Sequence, residues 1–133
     1  MAKASGLGWT TLSVDDSGGS VVVIKNDITS LDFSTPRGVQ DVTGIDKSAI
    51  ERLLLLADFS INLSGVFNAA TSHTVFSTVP STSVARTTSM TVNAKSLPNE
   101  VLYTDYALSR SAAGELTWKA PGVLADGTVP TWA

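Results

Sequence analysis

Between Phe59 and Ser64 the chain alternates without a break: Phe59, Ile61 and Leu63 are apolar, and Ser60, Asn62 and Ser64 are polar. Successive side chains point to opposite faces only in an extended strand, so a period of two specifies a strand with one buried and one wet face. The pattern returns with Leu116, Trp118 and Ala120 set against Glu115, Thr117 and Lys119, and again with Val84, Met90, Val92 and Ala94 on one face. Seventeen Ser and sixteen Thr make up about a quarter of the 133 residues, which favours strands and turns over helix interiors. A single mainly β domain is expected over residues 1–133.

The punctuation fits that expectation. Trp9–Asp15 reads as a first strand. Asp16-Ser17-Gly18-Gly19-Ser20 reads as a hairpin turn and residues 21–25 as the return strand. Ile28, Leu31 and Phe33 mark another strand that stops at Thr35-Pro36, because proline cannot donate to a ladder. Residues 37–44 read as loop, 95–99 as a turn and 101–110 as a strand. The strand carrying Trp118 is expected to end at Pro121-Gly122, and Gly65 marks a bulge or a close backbone approach. Within residues 68–81, Val75, Phe76 and Val79 fit one short amphipathic turn before Pro80.

One helix is expected, starting near Asp46, an N-cap residue, with Ser48 and Glu51 at capping-box spacing. Ile50, Leu53, Leu54 and Ala57 fall at i, i+3, i+4 and i+7 and form its core stripe. If they are buried, truncating Leu53 or Leu54 to Ala should each cost about 2–5 kcal/mol. Helix followed by strand gives an α+β arrangement: two packed antiparallel sheets, as a sandwich or barrel, flanked by one α-helix.

Composition removes most chemistry. There is no Cys and one His, His73, so thiolate catalysis, disulfides and zinc sites built from Cys or several His are excluded. His73 lies in a Ser/Thr-rich stretch without a nucleophile elbow and reads as a solvated surface residue. Asp15, Asp16 and Asp27 lack the spacing of a calcium loop, and Asp15 and Asp16 read as hairpin-turn aspartates. Gly6-Leu7-Gly8 and Gly18-Gly19 open no phosphate-binding helix and read as turn glycines. No catalytic residue, metal or cofactor is expected. A net charge of −3 argues against tight nucleic-acid binding. The longest apolar run, Leu53 to Ala57, is far short of the ~20 residues of a membrane span. No secretory signal precedes the domain, so synthesis in a cytoplasm is expected.

What remains is surplus apolar surface. Leu55 and Leu56 widen the leucine stripe beyond what one buried face needs, and they are candidate subunit-interface residues. Trp9, Trp118 and Trp132 divide between core and interface roles. Trp132, beside Pro130 in an apolar tail, is the leading interface candidate among them.

Two stretches carry a resemblance: Asp27-Ile28-Thr29-Ser30-Leu31-Asp32-Phe33-Ser34-Thr35-Pro36 and Gln40-Asp41-Val42-Thr43-Gly44-Ile45-Asp46-Lys47-Ser48-Ala49-Ile50-Glu51-Arg52-Leu53. With residues 58–67 and Gly114-Glu115-Leu116-Thr117-Trp118, they resemble the major tail (tail tube) proteins of long-tailed bacteriophages, particularly those of actinobacterial hosts. The resemblance implies hexameric rings of this chain, stacked into a tube in the virion tail and assembled in the host cytoplasm with other phage tail proteins. DNA would pass through without specific binding. It also implies terminal arms, about residues 1–8 and 123–133, that dock on neighbouring subunits. Six copies each giving about four strands, at ~4.8 Å spacing and ~40° tilt, would enclose a barrel roughly 48 Å across, wide enough for a duplex. Transit requires weak attraction, so inward-facing strand positions should be rich in Ser, Thr and Asp or Glu, with Lys and Arg paired or turned outward. Deleting residues 129–133 should weaken ring formation yet leave a folded monomer. The competing expectation is an immunoglobulin-like β-sandwich serving as a decoration or adhesion module of a phage particle.

Overall fold

The computed structural model describes Lys3 and residues 5–133; Met1, Ala2 and Ala4 of the expected N-terminal arm lie outside the described residues. Trp9–Asp15 (β1) turns back into Val21–Val23 (β2) through the expected hairpin, where Asp16 accepts the N–H groups of Gly18 and Ser20, each at 2.9 Å, and Gly19 has φ +85. Ile28–Ser34 (β3) stops before Pro36, Arg37–Asp41 (β4) pairs with Arg52–Ala57 (β5), and Ser60–Val66 (β6) returns beside β3. Ser72–Phe76 (α1) is the only α-helix among the described residues. Arg86–Val92 (β7), Lys95–Tyr103 (β8), Ala107–Arg110 (β9) and Leu116–Leu124 (β10) complete the chain.

The class is the expected one: mainly β, with a large antiparallel sheet, a small second sheet and one helix. The large sheet runs β2-β1-β7-β8-β10-β6-β3, and β9 pairs with β10 beyond the end of β8. It rolls over on itself, because Trp9 of β1 meets Phe33 of the terminal strand β3 edge-on, at 6.1 Å between ring centres. The enclosed core combines Leu12, Val14, Met90, Leu97, Val101, Trp118, Ala120, Ile61 and Leu63 from the strands with Val75 and Phe76 from α1. The second sheet is the two-stranded β4–β5 pair, which stands out as an extension of the β3–β6 hairpin and adds nothing to this core.

The helix is therefore not where the leucines are. Residues 52–57 are strand, and Ile50, Leu53 and Leu54 are 60%, 55% and 55% exposed, so neither they nor the half-exposed Ala57 form a core helix. Four consecutive leucines satisfy a period of 3.6 and a period of two alike, and the deciding partner, β4, is not a hydrophobic run that sequence periodicity would reveal. The capping signals serve a turn instead, with the Lys47 N–H donating to Gly44 O at 3.2 Å. Residues 37–44 correspondingly begin as strand rather than loop.

The expected 95–99 turn is also strand. The chain reverses at Asn93 and Ala94, both at positive φ (49 and 67), and Leu97, Asn99, Val101 and Tyr103 point inward. Pro98 is tolerated because β10 reaches β8 only at Val101–Tyr103, leaving the edge free at Pro98. Pro121 sits inside β10, whose N-terminal part pairs with β9 and whose C-terminal part pairs with β8. It faces the kink between them, where the Thr104 N–H donates to its carbonyl at 3.1 Å. Gly65 is a close approach as expected: a Cβ there would collide with the backbone carbonyl of Asp27 and lie 3.0 Å from the Trp118 ring.

Two interior polar groups tie the layers together. Arg86, 1% exposed, reaches the Asp15 carbonyl at 3.4 Å and Thr78 Oγ1 at 2.8 Å, and burial lowers its pKa. Asp27, 4% exposed, acts as the cap that α1 lacks locally. Its carboxylate accepts the Ser72 N–H at 3.2 Å, Asn68 Nδ2 at 3.1 Å and the Thr71 hydroxyl. Burial alone would raise the Asp27 pKa, but the hydrogen bonds from Thr71, Asn68 and Ser72 outweigh it and hold it below its ordinary 3.8.

Two predictions follow from this packing. Leu63→Ala should lose about 2–5 kcal/mol, while the exposed Leu53→Ala should stay within about 0.5 kcal/mol. Urea titration of both variants checks this, and comparable losses would put the leucine run back in a core. The stability Asp27 contributes is complete above pH 3.8 and is lost as pH falls through its lower folded value. Asp27→Asn should cost about 1–3 kcal/mol at pH 7 by weakening the acceptor for one buried and two partly buried donors, and it should flatten that acid limb. A variant as acid-sensitive as the parent would assign the limb to other carboxylates.

Candidate subunit interface

The β4–β5 arm leaves the body at a fixed point, where the Asp58 N–H donates to the Pro36 carbonyl at 3.0 Å. Arg37 Nε donates to the Leu55 carbonyl at 2.9 Å, and the register shifts between Arg37 and Val39, so the arm begins with a bulge. Its far end is knotted by three residues. Asp41 Oδ1 accepts the Thr43 N–H at 3.0 Å and the Thr43 hydroxyl at 2.7 Å, and Thr43 Oγ1 accepts the Glu51 N–H at 2.8 Å. The Thr43 side-chain and backbone hydrogen bonds hold the Asp41 pKa below its ordinary value. The loop they enclose is thus braced at its neck.

On this braced frame the chain displays apolar side chains to solvent. Eight of the eighteen large apolar side chains that are exposed among the described residues lie between residues 37 and 57, including Ile45 at 109% and Leu56 at 90%. Alternation along β5 puts Leu53 and Leu55 on one face of the arm and Leu54 and Leu56 on the other, so neither face is wet in character. Apolar side chains exposed in such number on one arm make it the candidate interaction site. At the arm's base, Arg37, Leu54, Leu55, Leu56 and Ala57 line an open groove of about 530 Å³ whose far wall is Val129.

The candidate residues Leu55 and Leu56 are thus neighbours in β5 on opposite faces of the arm, and both line the groove at its base. Pro130 and Trp132 lie in the C-terminal segment, which folds back on its own chain: the Trp132 ring is 6.0 Å from Phe33 and remains 49% exposed. The sequence reasoning missed Ile45 and Val39 of the arm, whose signal was an isolated apolar residue in a polar stretch. His73 is not simply solvated. It packs between Phe67 and Tyr106, at 4.9 and 5.9 Å between ring centres, with Nδ1 3.3 Å from the Tyr106 hydroxyl. Among the described residues no group of three His, Cys, Asp or Glu side chains gathers to hold a metal, and no helix is long and apolar enough to cross a membrane.

The wet face of the large sheet is rich in hydroxyls and amides. Across β3, β6 and β10 it presents Ser30, Asp32, Ser34, Ser60, Asn62, Ser64, Thr117 and Lys119, with Asn62 Nδ2 donating to Asp32 at 3.0 Å and the Ser34 and Ser60 hydroxyls 3.0 Å apart. Across β7 and β8 it continues with Thr87, Ser89, Thr91 and Glu100, the Thr87 hydroxyl donating to Glu100. Lys119 is the one base on the strands of this face, against Asp15, Asp32 and Glu100, and the exposed Val66, Leu102 and Val123 interrupt the polar surface.

No family model matches the chain, and no curated protein matches it. Among solved structures, the fold is similar to that of a chain in the virion of a native gene transfer agent particle, with a TM-score of 0.74 and 16% identity over 97% of this chain and 99% of that one. It is also similar to a chain in the tail of an empty gene transfer agent particle of C6 symmetry, with a TM-score of 0.70 and 15% identity over 98% of each chain. At these identities the likeness is one of fold.

Proposed function

We propose that this chain is a tail tube protein of a long-tailed phage or phage-like particle. Six copies join into a ring, rings stack into a tube, and DNA passes through the bore into the host. The observation that carries this reading is the end-to-end fold similarity to a chain of a sixfold-symmetric tail, which leaves almost no part of either chain unmatched. The protein then belongs in the virion tail, assembled in the host cytoplasm with other tail proteins. The affiliation with phages of actinobacteria rests on the sequence resemblance alone. The chain acts structurally and not as an enzyme.

The arm supports the reading independently, since a braced two-stranded arm with leucines on both faces has no use for that surface in one copy. Its leucines, with Leu55 and Leu56 at the centre, pack on a neighbouring subunit, and the terminal segments around Pro130 and Trp132 dock there too. A contact between two different patches is heterologous and closes into a ring when the rotation between copies divides the circle. The Ser- and Thr-rich sheet face lines the bore. With one lysine against three carboxylates it holds a duplex weakly, as transit demands.

Purified protein brought to high concentration should form rings or tubes of uniform width under negative stain. The double variant Leu55→Asp with Leu56→Asp should keep its melting temperature within a few degrees and lose assembled material at least about tenfold, because charges buried in a contact without partners cost more than the ~1.4 kcal/mol of a factor of ten. Wild-type protein that stays monomeric throughout would return the chain to the decoration-module reading, and tubes from the double variant would acquit the arm.

A further inference from the structure

β1 is laddered to β2 only from Ser13 to Asp15, and β3 is laddered only to β6, so the first half of β1 faces β3 across a seam with no ladder between them. The carbonyls of β1 on that side accept the Ile24 N–H at Leu12, at 3.0 Å, and Lys25 Nζ at Thr10, at 3.2 Å. Between the two strands lies a cavity of about 370 Å³, walled by Trp9 and Leu12 from β1 and by Ile28 and Leu31 from β3, with the exposed Lys25 beside them. Trp9 Nε1–H is shut off from solvent and has no acceptor, although nearly every buried N–H in a folded protein has one. Apolar walls with a polar group still to satisfy are the make-up of a binding site.

The same chain displays a side chain that fits such a site. The Lys47 N–H bond to the Gly44 carbonyl closes a four-residue turn with Ile45 and Asp46 at its corner, at the end of the β4–β5 arm. Ile45 is 109% exposed and Asp46 is exposed beside it. The neck formed by Asp41, Thr43 and Glu51 braces the loop that carries them, so little ordering is left to be done on docking.

No copy can fill its own cavity. The cavity lies at the start of β3, whereas the arm leaves from its end, carrying the ladder on from Ser34–Ser60 to Arg37–Ala57. Leu31 and Val42 are eleven positions apart, roughly 35 Å at ~3.3 Å per residue of strand. Knob and cavity therefore meet only between copies, and their charges are complementary, with a carboxylate next to Ile45 and an ammonium next to the cavity. Two different patches make a heterologous contact, which runs from copy to copy in one sense.

We infer that the cavity between β1 and β3 is the receiving site for the arm of a second copy. Ile45 enters between Trp9, Leu12, Ile28 and Leu31, the carbonyls of its turn come to the Trp9 indole, and Asp46 pairs with Lys25. This rests on the reading of the arm as a subunit contact and supplies the surface that meets it. Because knob and cavity lie beyond opposite ends of β3, the contact hands each copy on to the next along that strand.

The test is a charge swap read by sedimentation of assembled protein, with the melting temperature taken on every variant. Lys25→Glu and Asp46→Lys change exposed side chains, so each should melt within a few degrees of the parent. Each should assemble at least about tenfold less, because like charges then meet in the contact. The double variant Lys25→Glu with Asp46→Lys should recover assembly to near the parent's level, and the two positions are too far apart in one chain for that recovery to arise within a copy. Ile45→Asp should fail as the single charge variants do, while Ile45→Leu should assemble. Single variants that assemble like the parent, a double variant no better than the singles, or an Ile45→Asp that assembles freely overturns the receiving site; the tail tube reading stands in that case if the parent forms tubes. Recovery in assemblies that are neither rings nor tubes sinks the tail tube reading and keeps the receiving site, and a parent that stays monomeric at every concentration sinks both.

Discussion

The fold hangs on β10. One side of this strand pairs with β6 over seven residues, from Thr117 to Val123, and the other carries β9 along its first half and β8 along its last three residues. Trp118, 1% exposed, projects inward from it, donates Nε1–H to the Val66 carbonyl at 2.8 Å and lies 5.0 Å from the Phe76 ring. Phe76 in turn meets Tyr103 edge-on at 5.1 Å and stacks on Tyr106 at 5.7 Å, so both ends of the β8–β9 kink are pinned to one aromatic cluster. Tyr103 seals it: its hydroxyl is 2.7 Å from Thr88 Oγ1, and burial pushes its pKa up. The sheet can roll because this cluster fills the inside of the bend, and aromatic pairs at such spacings add to the area they bury.

A second aromatic group closes the roll. Phe33 lies 6.1 Å from Trp9, 5.9 Å from Phe59 and 6.0 Å from Trp132, which joins β1, β3, the start of β6 and the C-terminal segment around one ring. No ladder links β1 to β3; beside the packed rings, this end is tied through the segment before β3, where the Ile24 N–H donates to the Leu12 carbonyl at 3.0 Å and Lys25 Nζ to the Thr10 carbonyl at 3.2 Å.

Much of this was legible in sequence where a local signal carried the information. The alternation of residues 59–64, the Asp16 turn, the stop at Pro36 and the tight site at Gly65 each follow from a few adjacent residues. Three features were not legible. The leucine run fits helix and strand equally, and only pairing with the polar β4 decides between them. The reversal at Asn93-Ala94 places a non-glycine at φ 67, where a turn signal normally requires Gly. Pro98 and Pro121 suggest strand ends, yet both stand where the neighbouring strand falls short, which is a property of the sheet and not of the segment. For the candidate interface, surplus hydrophobicity was readable, but the display of that surface on a braced arm was not.

The borrowed cap on α1 has a consequence for the order in which the chain folds. Five residues are too few to persist as an isolated helix, since nucleation is unfavourable and most helical stability comes from tertiary packing. The carboxylate that accepts the Ser72 N–H comes from Asp27, 45 positions upstream, and Asp27 is itself held against Gly65 of β6. The helix therefore cannot seed the domain. The β3–β6 hairpin must close first, its loop lengthened by the whole arm, and only then does a cap exist for α1 to form beneath the Phe76 cluster. Folding of this chain is governed by long-range strand pairing, the slow class of topology, with helix formation a late event.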